Sequence, residues 1–462
     1  LNQKKFHMPT AYTILFLLLI LVAAATWIIP AGSYDYVDGV PVAGTYHTVE
    51  QNPQGVGDVL KAAFSGFYDA VDVCIFILMV GGFLGVVMKT GAVDAGVGNV
   101  IRLLGGREKW LIPILMLLFG LGGTTYGMWE ETMAFYPLLI PVFLAAGYDA
   151  VVGISVILLG AGAGVIASTV NPFATGIAAG FAGVSLGEGI VLRLLEWVAF
   201  EAAAIWFVMA YAAKVKKNPS KSVVGVGAGK IQVSMDQQVP FTAKRKVIMA
   251  LFTLTFLIMV YAVVPFDEMG LSLPALGWWF PELSALFLVA GVVIGLIDRM
   301  SEEELVETYV AGCADLLGVA FIIGISRGIT VLMNDGAITD TVLHWGEQAL
   351  SGAGAISFTL LVFALYLPLT ILIPSSSGLA TLSIPIVAPL GKFAGVGGDL
   401  VVTAFQSASG LVNIITPTAA VVMGALALGH VPYDRWVKYV WKLILWFLLL
   451  ALAFLVAGVL LG

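Results

Sequence analysis

Charged residues are scarce in this sequence of 462 residues. Asp, Glu, Lys and Arg make up only 11% of it, while 60% of its residues are hydrophobic. Soluble domains carry about 25% charged residues, so a long chain of this composition predicts a protein that crosses a membrane several times. The composition excludes most soluble enzymes and any nucleic-acid-binding protein.

Residues and motifs that build disulfides, metal centres and active sites are also rare. The two cysteines, Cys74 and Cys313, lie in apolar stretches, and the four histidines show no metal-ligand spacing. The sequence has no HExxH motif, no GxSxG motif with partners and no Walker A phosphate loop. We therefore expect no enzyme activity, no metal site, no cofactor and no ATP-driven step. Na⁺ and H⁺ remain as alternative coupling ions.

Long apolar runs mark the membrane spans, each of which needs about 20 residues. The predicted spans are 8–32, 73–88, 247–266, 283–297, 312–333 and 443–462.

Three further runs contain no Asp, Glu, Lys or Arg and are too long for one span: 150–187, 348–391 and 400–433. Each contains a polar interruption with Pro, at 168–172, 374–378 and 416–418. Proline removes a helical hydrogen bond, and irregular backbone is tolerated in a bilayer only against protein or a water-filled cavity. The interruptions are therefore candidate ligand sites.

Basic residues predict the orientation of the chain in a bacterial cytoplasmic membrane. Lys and Arg concentrate in segment 214–246, which we assign to the cytoplasm. The charged residues of Ser33–Gln54 are all acidic. With the spans above, the N-terminus is predicted to be cytoplasmic and the C-terminus external.

Segments 110–148 and 353–392 have two interpretations. Two full crossings would place Glu130 and Glu131 in an external loop, whereas a re-entrant hairpin would place them at mid-membrane. The sequences around Thr124–Gly127 and Ser375–Ser377 are more typical of hairpin tips than of solvated turns. We favour two hairpins.

The two halves of the chain resemble each other. Gly66 and Asp69 match Gly312 and Asp315, Pro137 matches Pro385, and the offsets stay between 245 and 248 residues. Because an extra helix after the basic segment reverses the second copy, the repeats have opposite topology, which is the architecture of secondary transporters.

The predicted fold is thus an all-α polytopic membrane protein with about nine transmembrane helices, two re-entrant hairpins and two broken helices. The first predicted unit is a repeat at 1–213, with its hairpin at 110–148 and its broken helix at 149–187. A cytoplasmic linker follows at 214–246. The last unit, at 247–462, is an extra helix plus the second repeat, with its hairpin at 353–392 and its broken helix at 399–431.

Polar residues at the four helix interruptions are the candidate binding residues. Half-helix N-termini favour a carboxylate, while loosened carbonyls and hydroxyls suit a small cation. The candidates are Thr124, Thr125, Ser168, Asn171, Ser375, Ser376, Ser377, Thr416 and Thr418. For any single hydroxyl, a hydrogen bond to its own helix is an equally good interpretation.

Ionisable residues at membrane depth are functional candidates by default. Glu130 and Glu131 are adjacent, so at most one is expected to face a site, where it could bind a cationic group, Na⁺ or a proton. Arg327 could pair with a substrate carboxylate, or structurally with Asp315 or a hairpin Glu. Glu196 and Glu201 follow Arg193, with which Glu196 could pair across one turn, and we assign them no role.

The stretches Gly127–Pro137 and Ser168–Gly176, and the arrangement of Arg327-Gly328 before Met333–Gly336, resemble the YfcC family over nearly the whole chain. That family belongs with the anaerobic C4-dicarboxylate carriers in the ion transporter superfamily. The resemblance implies a homodimer with a scaffold domain and a moving transport domain that holds both hairpins, working by an elevator motion. Related dicarboxylate carriers use Ser-Asn-Thr at both tips, which this sequence lacks.

The charged residues predicted at membrane depth allow the candidate substrates to be ranked. A dicarboxylate would have to neutralise two negative charges, yet Arg327 is the one cation predicted at membrane depth, and the Glu pair adds negative charge, which is costly to bury unpaired. We therefore predict a small-molecule substrate in a lipid environment, first a basic amino acid of the arginine/ornithine type and second a C4-dicarboxylate. The alternative from another functional class is a passive channel with the same fold.

Overall fold

The computed structural model describes residues 11–93, 95, 96, 99, 107–125, 127–185, 187–225, 240–263 and 273–461. Tyr126 of the first predicted tip, residues 226–239 of the predicted linker and the N-terminal residues 1–10 lie outside the described residues. The part that is described is mostly helical, as the sequence predicts.

The first half of the chain contains helices α1 (Ala11–Ala25), α2 (Val56–Asp69), α3 (Val71–Lys89), α4 (Leu111–Thr125), α5 (Tyr136–Ala145), α6 (Ala150–Ile166), α7 (Ile177–Ala182) and α8 (Ile190–Lys217). The second half contains α9 (Ala243–Val263), α10 (Phe280–Asp298), α11 (Glu302–Asp335), α12 (Thr339–Leu350), α13 (Ala355–Leu372), α14 (Ser376–Phe393), α15 (Gly398–Asn413), α16 (Ala420–Leu428) and α17 (Tyr433–Leu461).

The segment between α1 and α2 contains short β-strands. They are β1 (Gly32–Ser33), β2 (Tyr36–Val37), β3 (Val40–Pro41) and β4 (His47–Thr48), and they form the antiparallel pairs β1–β4 and β2–β3. The prediction of an all-α fold holds for the membrane part, while this connecting segment is a small β structure.

Among the described residues, the helices that are long and apolar enough to cross a membrane are α3, α10, α11, α13 and α17, while α1 and α6 are shorter apolar helices. The predicted count of about nine transmembrane helices and the inverted repeat remain predictions.

The helices end where the sequence has its polar interruptions. Segment 110–148 contains α4, a 3-10 helix at Glu130–Phe135 and α5, and the second predicted hairpin contains α13 and α14. After α6, the chain passes through an irregular stretch and a π-helical turn at Pro172–Gly176 before α7. Helices α15 and α16 are likewise separated by residues 414–419.

The helices pack in two groups. In the α11 group, α1, α2 and α3 pack on α11, and α10 packs between α3 and α9. In the α6 group, α4, α5, α8 and α15 pack on α6, and α13, α14 and α17 complete the group through α15. The groups meet where α11 contacts α16 and where the 3-10 helix contacts α3.

Glycines bring α3 and α11 into backbone contact. A Cβ atom on Gly312 would lie 2.4 Å from the carbonyl oxygen of Gly81, and a Cβ on Gly81 would lie 2.5 Å from that of Gly312. Lipid tails are as apolar as Leu side chains, so helices in a bilayer gain mainly from such close contact between small residues. These glycines therefore fix the distance between α3 and α11.

Charged residues collect at the two ends of α11. At its first end, Lys244 Nζ lies 2.6 Å from Asp298 Oδ1, and Lys89 Nζ lies 3.6 Å from Glu304 Oε1. At the other end, Asp340 accepts hydrogen bonds from the backbone of Tyr34. The first end belongs to the side that the sequence assigns to the cytoplasm.

Replacing Gly312 with Ala is expected to destabilise the protein by about 1–3 kcal/mol, because the new methyl group would displace the backbone of α3. Thermal unfolding of the purified protein in detergent measures this. The matched control is Gly57→Ala in α2, where an added Cβ meets no atom within 4 Å. The control should unfold at or above the wild-type temperature, and equal losses in both variants would contradict the packing described here.

Candidate functional site

A small polar pocket lies where the two helix groups meet. Its cavity volume is about 60 Å³. The α11 group provides Ala70, Val73, Ile323, Ser326 and Arg327, and the α6 group provides Trp129, Glu130, Pro374, Ser376, Asn413 and Thr418–Val421. The four sequence-predicted residues that it brings together are Glu130, Arg327, Ser376 and Thr418.

Arg327 forms an ion pair with Asp69. The Arg327 Nε atom lies 3.6 Å from Asp69 Oδ2, at the C-terminal end of α2. The sequence suggested Asp315 or a hairpin Glu as the structural partner. Asp315 is excluded, because twelve residues of α-helix place it about 18 Å from Arg327 along α11. The pair joins α2 to α11 and partly neutralises the cation beside the pocket.

The depth of the pocket follows from the length of α11. Arg327 lies eight residues before Asp335, which is about 12 Å along the helix. The Asn52 side chain donates to the carbonyl oxygen of Asp335 at 2.9 Å, so this end of α11 adjoins the connecting segment that the sequence assigns to the outside. If the end of α11 at Asp335 is placed at the predicted outer boundary of a hydrocarbon core about 30 Å thick, Arg327 is predicted to lie near mid-membrane.

The two glutamates of the first tip have different surroundings. Glu130 lines the pocket, where it interacts electrostatically with Arg327 and Asp72. Glu131 is 5% exposed, and its Oε2 atom accepts a hydrogen bond of 3.1 Å from the backbone N–H of Trp129. The 3-10 helix that begins at Glu130 points the neighbouring side chains in different directions. Glu130 is therefore the glutamate of this pair that a ligand in the pocket could contact.

Two helix N-termini also border the pocket. Helix α14 begins at Ser376 and α16 begins at Ala420, and both residues line the cavity. The first turn of a helix has unpaired N–H groups and the positive end of the helix dipole, which together favour an anion. Ser375 caps α14 by accepting from the backbone N–H of Gly378 at 3.2 Å, and Ser377 Oγ lies 3.5 Å from Ser375 Oγ.

Hydroxyl groups connect the second helix break to α11. Ser326 donates to the carbonyl oxygen of Thr418 at 2.6 Å, and Thr416 Oγ1 lies 2.9 Å from Thr418 Oγ1. Asn413, at the end of α15, lines the same pocket. These contacts give the site a polar wall with amide and hydroxyl donors and acceptors.

The remaining candidates form a separate buried cluster in the first half. Thr124 Oγ1 donates to the carbonyl oxygen of Ala167 at 2.8 Å, and Ser168 accepts from Thr175 at 2.7 Å. Asn171 Oδ1 accepts from the N–H of Ala174, and Thr125 donates to Leu121 within its own helix. The structure places none of these four side chains in the pocket, and the hydrogen bond of Thr124 to Ala167 ties the first tip to the first helix break.

The site also includes four residues that the sequence did not predict: Trp129, Ser326, Asn413 and Asp69. Asp69 and Asp315 occupy equivalent positions in the two predicted repeats, but this repetition gave no indication that Asp69 lies beside Arg327. The sequence signals for Ser326 and Asn413 were weaker still. Ser326 is a polar residue next to Arg327, and Asn413 is a polar residue three positions before the Thr-Pro-Thr interruption.

The pocket combines sites for both signs of charge. Arg327 and the starts of α14 and α16 can bind a carboxylate, while Glu130 can bind an ammonium or guanidinium group, Na⁺ or a proton. Among the described residues, no group of three His, Cys, Asp or Glu side chains could hold a metal ion. The arrangement provides for binding a small polar molecule.

Comparisons with known proteins agree with a transport role. Residues 8–460 match the family of C4-dicarboxylate anaerobic carriers. A Haemophilus influenzae protein of unassigned function is 35% identical, over 99% of this chain and 98% of its own. A relative from Escherichia coli K12, named "Putative basic amino acid antiporter YfcC", is 30% identical over 94% of this chain and 93% of its own.

Two solved transporter structures are more distant. The YdaH transporter of Alcanivorax borkumensis aligns at 13% identity over 98% of both chains, with a TM-score of 0.44. MtrF of Neisseria gonorrhoeae, an antimetabolite efflux pump, aligns at 18% identity over 97% of this chain and 94% of its own, with a TM-score of 0.42. At these scores neither likeness contributes to the assignment.

Replacing Glu131 with Ala is expected to lower the free energy of unfolding by about 1–3 kcal/mol, because it leaves the buried N–H of Trp129 without its partner. Glu130→Ala is the matched control, since that side chain faces the pocket. Thermal unfolding in the same detergent compares the two. A greater loss in Glu130→Ala would contradict the positions described for the two carboxyl groups.

Proposed function

We propose that this chain, which belongs to the C4-dicarboxylate anaerobic carrier family, is a secondary transporter that exchanges a basic amino acid of the arginine or ornithine type. Its family membership and its apolar helices support a multi-pass membrane carrier rather than an enzyme. The further expectations are a homodimer in the cytoplasmic membrane, with a cytoplasmic N-terminus and an external C-terminus.

The observation that carries the proposal is the balance of charge in the pocket. Glu130 lines it opposite Arg327, and Arg327 is already paired with Asp69 at 3.6 Å. A ligand that brings one positive group and one carboxylate would satisfy both walls of the pocket. A ligand with two carboxylates would add a second negative group beside Glu130, and burying unpaired like charge is unfavourable.

A binding mode for an amino acid follows from this arrangement. The carboxylate would lie at the starts of α14 and α16, within reach of the Arg327 guanidinium group. The amino or guanidinium group would face Glu130, while Asn413 and Thr418 would bind the remaining polar atoms. The name of the Escherichia coli relative, which describes a basic amino acid antiporter, also supports such a ligand.

The cavity volume of about 60 Å³ suits water or an ion, whereas pockets for small organic ligands measure about 300–1,000 Å³. A substrate would therefore enter only after the walls separate. Because Arg327 belongs to the α11 group and Glu130 to the α6 group, movement of one group past the other would open the pocket. This supports an elevator-type alternating-access cycle, with the α6 group as the moving part.

The second candidate function is ion-coupled transport of a C4-dicarboxylate. The description of the matching family favours it, as do the two helix N-termini, which could hold two carboxylates between them. In that case Glu130 would bind the coupling cation instead of a substrate amino group. The two functions therefore predict different competitors for the same pocket.

Exchange in proteoliposomes distinguishes the two functions. With unlabelled arginine inside, labelled arginine or ornithine should enter rapidly, and external succinate should not compete. Liposomes without internal amino acid should take up little label, which separates obligatory exchange from a passive channel. Succinate uptake that excess arginine leaves unchanged would overturn the ranking, and conductance without exchange would exclude a carrier.

Replacing Glu130 with Gln is expected to weaken arginine binding by at least about 30-fold, which corresponds to about 2 kcal/mol, because it removes the charge that pairs with the guanidinium group. The half-saturation concentration for exchange measures this. Glu303→Gln is the control, because Glu303 is exposed at the start of α11. Unchanged arginine affinity and ion dependence in Glu130→Gln would show that Glu130 does not bind the substrate.

A further inference from the structure

Glu201 is a buried carboxyl group that the proposed binding site does not use. It lies eleven residues after the start of α8, about 16 Å along that helix. The residue is 2% exposed, and neither carboxyl oxygen has a hydrogen-bond partner. A Cβ atom on Gly120 of α4 would lie 2.4 Å from its Oε2 atom, so the carboxyl group packs directly against α4.

The helices around Glu201 provide no compensating charge. Residues 111–125 of α4 and 150–166 of α6 include no Asp, Glu, Lys, Arg or His. In α17, which packs on α8 through Phe447 and Phe200, the charged residues all precede Leu443.

On α8 itself the nearest charged residues before Glu201 are Arg193 and Glu196, and those after it begin at Lys214. Glu196 accepts a hydrogen bond from Ser407 of α15 at 2.8 Å, so it is directed to a different helix.

One further polar atom lies on the same face of α8. Trp197 precedes Glu201 by four residues, which is one helical turn, and its indole N–H is buried without a hydrogen-bond partner. On the face of α8 that packs toward α4, the indole N–H of Trp197 thus lies one helical turn from the Glu201 carboxyl group, and neither group has a hydrogen-bond partner.

We propose that Glu201 is a proton-binding site, protonated in this conformation, and that loss of its proton accompanies movement of α4. An unpaired carboxylate buried inside the protein is strongly unfavourable, whereas the neutral acid can be buried there. On release, the proton passes to water and the carboxylate remains on α8, where the Trp197 N–H or entering water can stabilise it only if α4 moves aside.

This proton site would couple transport to a proton gradient, and in that respect it rests on the proposed function. Helix α4 ends at Thr125, just before the tip that carries Glu130. Movement of α4 away from Glu201 would therefore shift the wall of the pocket. Proton release at Glu201 would therefore accompany a shift of the hairpin that provides one wall of the pocket.

Infrared spectroscopy tests proton binding without reference to any substrate. Purified wild-type protein in lipid nanodiscs at neutral pH should show a carbonyl stretch from a buried carboxylic acid, and Glu201→Gln should lose that component. The exposed control Glu303→Gln should keep it. An identical acid band in wild type and Glu201→Gln would overturn the proposal.

Gly120→Ala provides a second variant in case Glu201→Gln does not fold. The added methyl group would occupy the space of the carboxyl group, so the acid band should shift or disappear. An unchanged band in Gly120→Ala would contradict a protonated carboxyl group packed on α4.

Proteoliposomes test the coupling. A pH gradient should stimulate labelled arginine uptake by wild type and by Glu303→Gln, and Glu201→Gln should lose this stimulation. Equal stimulation in all three proteins would overturn the coupling role of Glu201. If wild type exchanges neither arginine, ornithine nor succinate, the proposed function fails, while the infrared result still decides the proton site.

Discussion

The low polarity of the membrane interior is the constraint on which the rest of this structure depends. A charge at membrane depth is stable only with a partner, a ligand or a bound proton. Arg327 has Asp69 as its partner, and Glu131 accepts a backbone hydrogen bond. Glu130 faces the pocket, which makes it the group on which a positively charged ligand would act most strongly.

The same constraint connects the architecture with transport. Helices can break at mid-membrane only where the freed backbone groups find protein or water, and the second pair of breaks lies beside the pocket. Contacts between glycines hold α3 firmly on α11, whereas polar side chains and two helix N-termini separate the α11 group from the α6 group. A packed scaffold beside a polar, openable interface is what alternating access requires.

Much of this architecture could be predicted from the sequence, because charge-free runs and their interruptions are local signals. The interruptions at 168–172 and 416–418 fall between α-helices, and the interruption at 374–378 spans the start of α14 at Ser376. The resemblance to the family of carriers is confirmed. Helices α2 and α12 were not predicted, since both are short and include charged residues. The β structure before α2 has two-residue strands, too short to produce an alternating pattern.

The site was harder to predict because it depends on contacts between distant parts of the chain. Periodicity could not show that Arg327 pairs with Asp69, nor that the polar residues divide into a pocket and a separate cluster around Thr124. The choice between Glu130 and Glu131 required the 3-10 helix, whose geometry differs from the α-helix assumed from the sequence. Arg193, which the sequence offered as a partner for Glu196 across one turn, is 1% exposed and buried in the protein.

The most direct test of the account is equilibrium binding of labelled arginine to the purified protein in nanodiscs. The central claim is that one pocket between the two helix groups binds a molecule with both a positive group and a carboxylate. The account predicts saturable arginine binding that ornithine displaces and succinate does not. Saturable succinate binding, with no binding of arginine or ornithine, would contradict it.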